Sequence, residues 1–118
     1  MKMSEKNSRW SRQELVTSLC FYAALSDQER MTIPKSSMDV MLEALPLRTK
    51  ASLKMRIANF IAVDPEMKKL GHKGLDGGGD QVGQIWQEFS DEVGSLNLKK
   101  VLRAKIFDLR LESIADLP

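Results

Sequence analysis

Apolar residues recur at helical spacing from the tenth residue onward, and no stretch alternates long enough to build a sheet. Residues 1–9 are polar and aperiodic and read as a flexible arm carrying basic Lys2, Lys6 and Arg9. At Trp10 the pattern changes. Ser11-Arg12-Gln13-Glu14 is a capping box, in which the Ser11 hydroxyl accepts from the Glu14 amide and the Glu14 carboxylate reaches back. Trp10 and Leu15 then stand at the spacing of a hydrophobic staple, and Leu15, Leu19 and Tyr22, with Val16, Cys20 and Ala23, extend a stripe to about residue 25. The polar segment 26–35 contains Pro34 and predicts a connection. Ser36 or Ser37 can cap a second helix bearing Met38, Met41, Leu42 and Leu45, which Pro46 ends by biasing its predecessor out of the α region. Thr49 caps a third helix over 50–63, with Leu53, Ile57, Phe60 and Ile61 on one face; Asp64-Pro65 stops it, and Met67 and Leu70 allow one further short turn.

Five of the seven glycines fall between Gly71 and Gly79, which predicts a loop. Asp80 can cap a fourth helix with Val82, Ile85, Trp86 and Phe89 on one side. Its interior Gly83 costs about 1 kcal/mol relative to alanine, so Trp86 and Phe89 must be well buried. Asn97 can cap a last helix, about 97–114, with Leu98, Val101, Leu102, Ile106 and Leu109 on a stripe that closes the bundle or pairs with a second copy. The expected class is all-α with about five helices in one domain over 10–118. Within it, 10–65 forms a helix-turn-helix-like unit and 80–114 supplies closing helices.

Length and composition narrow the function. A chain of 118 residues, 42% hydrophobic and 29% charged, suits one globular domain. No apolar run approaches the roughly 20 residues that span a bilayer, and the N-terminus lacks a signal-peptide core, so a cytoplasmic location with no membrane partner is expected. One cysteine, Cys20, and one histidine, His72, leave no zinc ligand set and no Cys-His or Ser-His pair for hydrolysis. No catalytic residues, metal or cofactor are therefore expected. The net charge of +2 is unevenly spread: residues 1–60 hold ten Lys/Arg against six Asp/Glu, whereas residues 61–118 hold eight against ten. A basic first half fits an anionic partner, and a chance excess of surface charge fits as well.

The outline of three short helices with the turn Leu45-Pro46-Leu47-Arg48-Thr49 between the second and third is that of a helix-turn-helix. In such units the last helix enters the major groove with its N-terminal residues at the base edges. Opposite the apolar face of residues 50–63 stand Ser52, Met55 and Asn59, flanked by Lys54 and Arg56, with Arg48 and Lys50 at the start. Cations there oppose the helix dipole, a cost that a phosphate would relieve. The same residues also describe an ordinary solvated face, or a docking face for another protein.

These motifs resemble a bacterial module. Trp10-Ser11-Arg12-Gln13-Glu14-Leu15, Arg48-Thr49 with Ser52, Met55-Arg56, Asn59-Phe60, Asp64-Pro65, Gly74-Leu75 and Ile85-Trp86-Gln87-Glu88-Phe89 are similar, in order and spacing, to the N-terminal helical domain preceding the catalytic domain of many restriction-type HNH endonucleases. The resemblance covers about residues 9–92; the opening tryptophan and the Arg-Thr helix are also similar, more distantly, to Myb/SANT-type domains. Lys50 replaces the family's proline, Arg56 its lysine, and no His-Asn-His segment is present. The resemblance implies an accessory domain without a nuclease: a non-catalytic double-stranded DNA-binding module of a bacterial or phage restriction or defence system. The alternative is an interaction or dimerisation domain that docks a nuclease subunit. The expected DNA contacts are Arg12, Arg48, Lys50, Ser52, Lys54, Met55, Arg56 and Asn59, with Asn59 the natural adenine reader by side-chain chemistry. A phosphate cradle at His72-Lys73 and a cation site at Asp76 and Asp80 are weaker alternatives, since neither the Walker nor the calcium-loop spacing is present.

Overall fold

Capping chemistry sets most of the helix starts. In the computed structural model, which describes residues 9–76 and 79–105, Ser11 Oγ accepts from the Glu14 amide at 3.1 Å and Glu14 Oε1 from the Ser11 amide at 2.9 Å, opening α1 (Arg12–Ala24). Thr49 and Ser52 form the same reciprocal pair at α4 (Lys50–Val63), whose bounds follow the sequence pattern. Asp64 ends that helix and caps α5 (Pro65–Lys69), where Pro65 occupies the first turn and loses no intrahelical bond. Asn97 Oδ1 accepts from the Lys100 amide at 3.2 Å and begins α7 (98–105).

Three starts differ from the sequence reading. The segment 26–35 contains a helix, α2 (Asp27–Met31), because Ser26 and Glu29 make a second capping box. α3 (Lys35–Ala44) begins after Pro34 rather than after Ser36 or Ser37: the proline's φ of −60° already suits a helix entry, and no side-chain cap is made. α6 (Gly79–Glu88) includes Gly79 and Asp80, two residues before a helix capped by Asp80 would start, so Asp80 lies in its first turn instead of capping it. Seven helices and one isolated bridge, Ser90 to Leu96, make up the regular structure of the described residues, an all-α fold. Residues 1–8 of the expected arm 1–9, and the expected helix beyond residue 105, with Ile106 and Leu109, lie outside them.

α4 is the axis of the molecule, in contact with α1, α2, α3, α5 and α6. Leu53, Ile57, Phe60 and Ile61 bury one side of it against Leu19 and Tyr22 of α1, Met41 of α3, Met67 of α5, and Ile85 and Trp86 of α6 in one hydrophobic cluster. Tyr22 meets Phe60 edge-on at 5.5 Å and Trp86 at 5.7 Å. Full burial of such rings contributes about 2 kcal/mol or more each, which offsets the cost of Gly83 in α6. Of the described part of the last stripe, Val101 is inside, whereas Leu98 and Leu102 are about half exposed.

The unexpected α2 has a structural task. It aims Arg30 at the junction of α4 and α5, where the guanidinium lies 3.9 Å from the centroid of the Tyr22 ring and 3.6 Å from Asp64. Tyr22 donates its hydroxyl to Asp64 Oδ2 at 2.6 Å, and burial together with that carboxylate pushes the phenol's pKa upward. Asp64 is itself buried, so the hydroxyl, the guanidinium and the Glu66 amide supply the partners a buried carboxylate requires.

Candidate nucleic-acid interface

The first turns of α1 and α4 meet around Trp10. Its backbone is held by an amide clamp, the Trp10 N–H donating to Gln81 Oε1 at 3.2 Å and Gln81 Nε2 donating to the Trp10 carbonyl at 2.6 Å. Two guanidiniums stand over its ring, Arg48 at 4.8 Å and Arg56 at 4.5 Å from the centroid. Arg48 is 8% exposed and forks onto Glu14, Nε to Oε2 at 2.9 Å and Nη2 to Oε1 at 2.7 Å, with a further bond to the Arg9 carbonyl at 3.1 Å. Glu14 thus closes the α1 capping box and the ion pair with the same carboxylate. The Arg48 hydrogen bond, opposed by burial and assisted by Ser11, holds its pKa below the usual carboxylate value.

Arg56 has no such carboxylate. Its Nε and Nη1 are buried without a hydrogen-bond partner among the described residues, and burial, then the neighbouring Arg48 charge, lower its pKa. An arginine remains cationic at neutral pH despite such a shift. The tryptophan face therefore carries one paired and one unpaired guanidinium, a locally positive site held by cation–π contact.

Several residues expected on the outer face have been drawn inside. Asn59 is 4% exposed, and its Nδ2 donates to the Leu75 carbonyl at 2.5 Å, so it has no free amide for an adenine. Arg48 is likewise removed from the contact set, since neither a phosphate nor a guanine reaches a buried fork already engaged by Glu14. Arg12 lies on α1, where it forks onto Glu88 of α6 and stands 5.6 Å from the Phe89 centroid, neutralised by that carboxylate and away from α4. Ser52 is occupied as the third residue of its capping box and is only partly exposed.

Lys50, Lys54 and Met55 do face outward from the first two turns of α4. Neither lysine has a carboxylate within ion-pair distance among the described residues. Met55 is 54% exposed. Beyond it the outer side is covered: Gly74 crosses α4 so closely that a Cβ there would lie 2.4 Å from the Ala62 nitrogen and 2.5 Å from the Ala58 oxygen. Only a glycine, at φ +67°, over two alanines permits this crossing. The motif Gly74-Leu75 was visible in the sequence, but its place on α4 was not, because periodicity says nothing about which loop returns to which helix.

The cation site at Asp76 and Asp80 gains no support: among the described residues no three His, Cys, Asp or Glu side chains are placed to hold a metal ion. No described helix is long and apolar enough to cross a membrane. Comparison of the chain with protein-family models, with curated proteins and with solved structures gives no match.

Proposed function

We propose that this chain is a non-catalytic module that binds double-stranded DNA through the first two turns of α4, in a bacterial or phage restriction or defence system as its motifs imply. The observation that carries the reading is the pair Lys50 and Lys54, exposed and without a carboxylate at ion-pair distance among the described residues, at the N-terminal end of α4, the end that a recognition helix presents to a groove. The contact set is reduced to Lys50, Lys54 and Met55, with Arg56 adding positive potential beside them. Arg48 and Ser52 act indirectly: the first locks the turn into α4 against α1, and the second caps the helix. A rigid helix start lowers the ordering cost that binding must meet.

Charge reversal of both lysines, Lys50→Glu with Lys54→Glu, is the direct test, because both are exposed and neither makes an ion pair among the described residues. The wild-type chain should retard a duplex at about 50 mM salt with affinity falling steeply as salt rises, and the double variant should not. Equal binding by the folded double variant refutes the proposal. A second reading, a docking face for a nuclease subunit or a second copy of the chain, draws on Leu47 at 78% and Met55 at 54% exposure beside the same helix. A salt-insensitive complex formed without nucleic acid would identify it.

A further inference from the structure

The segment that covers the far half of α4 bears on how a duplex would be held. Leu75 donates its amide to the Ala58 carbonyl at 3.0 Å, and Asn59 Nδ2 donates to the Leu75 carbonyl, so the two sides of one peptide segment are bonded to two successive residues of α4. Gly74 fills the space between Ala58 and Ala62 at backbone contact. At the other end of the segment the His72 amide donates to the Met67 carbonyl at 3.0 Å, which fixes its departure from α5. Residues 72–75 are therefore anchored at both ends, and the residue between the anchors, Lys73, is exposed.

The anchoring point matters. Ala58 lies one turn beyond Lys54 on the same side of α4, about 6 Å further along the axis. The segment thus begins where the exposed basic face stops. Lys73 makes no ion pair among the described residues, and Asp76, the exposed carboxylate that follows the segment, is separated from it along the chain by the two anchored residues. Asn59 has no role at a base, yet it is the side chain whose amide holds the segment to the helix.

We infer that the segment 72–75 is a second DNA-contact element, in which Lys73 grips a backbone phosphate flanking the groove entered by α4, and that Asn59 is the residue positioning it. This rests on the DNA-binding reading proposed above. A lysine at a phosphate adds affinity without sequence preference, whereas the outward side chains of α4 carry any selectivity.

The test uses the full chain and a mixed-sequence DNA duplex, titrated over a range of salt concentrations. Lys73→Glu should weaken binding about tenfold or more at 50 mM salt and lower the salt slope by about one, equally for unrelated duplexes. Asn59→Ala should lower affinity too, and adding Lys73→Glu to it should have less effect than in the wild type, the non-additivity that marks a positioning residue. If Asn59→Ala does not fold, the exposed Lys73 variant still decides. Wild-type affinity and slope in Lys73→Glu, with binding abolished by Lys50→Glu and Lys54→Glu, overturn this inference and leave the α4 reading standing. No salt-dependent duplex binding by the wild type overturns both.

Discussion

Replacing Arg48 separates a structural role from a DNA contact. Arg48→Met keeps much of the side-chain volume but removes the fork onto Glu14, the bond to the Arg9 carbonyl and the cation over Trp10. Breaking one side of a buried ion pair costs about 3–5 kcal/mol, because the remaining charge is left poorly solvated. Two features place this case at the lower end. The Glu14 side chain retains 15% of its exposure, against 4% for Arg48, and the Ser11 amide still donates to one of its oxygens. The expected loss is therefore about 3 kcal/mol, equivalent to a fall of roughly 10 °C in Tm for a domain of this size. Urea and thermal unfolding followed by circular dichroism measure it. The cycle with Glu14→Gln should return a coupling of about 1.5 kcal/mol or more, as expected for residues that share hydrogen bonds. An Arg48→Met variant within about 1 kcal/mol of the wild type would refute the reasoning, and Arg48 would then have to be reconsidered as a surface cation.

Further outcomes follow from the same contacts. Tyr22→Phe removes a donor from the buried Asp64 and should cost about 1–3 kcal/mol, read as a lower urea midpoint with unchanged helical content. Arg12→Ala breaks an exposed pair, with side chains 60% and 45% accessible, and should shift stability by less than about 1 kcal/mol despite its close fork. Because Glu14 has a lowered pKa in the folded chain, its contribution is complete above its unfolded value near 4.5 and is lost as pH falls through the folded value. The urea midpoint should thus begin to fall below about pH 4.5, and Glu14→Gln should flatten that part of the profile. Gly74→Ala would drive a Cβ into the α4 backbone at Ala58 and Ala62 and should cost at least about 1 kcal/mol, with faster amide exchange at Leu75 as the segment lifts.

Local chemistry made much of the fold legible. The capping boxes at Ser11 and the Thr49 cap are written in four consecutive residues each, and the structure starts α1 and α4 there. α2 was equally local, since Ser26 and Glu29 repeat the Ser11 arrangement; five residues are too few for the periodicity that revealed the longer helices. The outer face of α4 was legible only over its first two turns. A helix wheel presumes one buried side, and α4 has more, because it is wrapped by five helices and crossed by the segment at Gly74.

Residue pattern alone carried the all-α class, the cap of each long helix except α3 and α6, and the core positions of α1 and α4, because those depend on neighbours within about four places along the chain. Contacts between distant parts decided the fate of each polar side chain. Arg48 meets Glu14 across 34 positions, Asn59 meets Leu75 across 16, and Arg12 meets Glu88 across 76. A cation on an amphipathic helix looks the same in sequence whether it faces solvent or another helix's carboxylate. Burial and pairing, which set its charge and reach, exist only once the helices are packed.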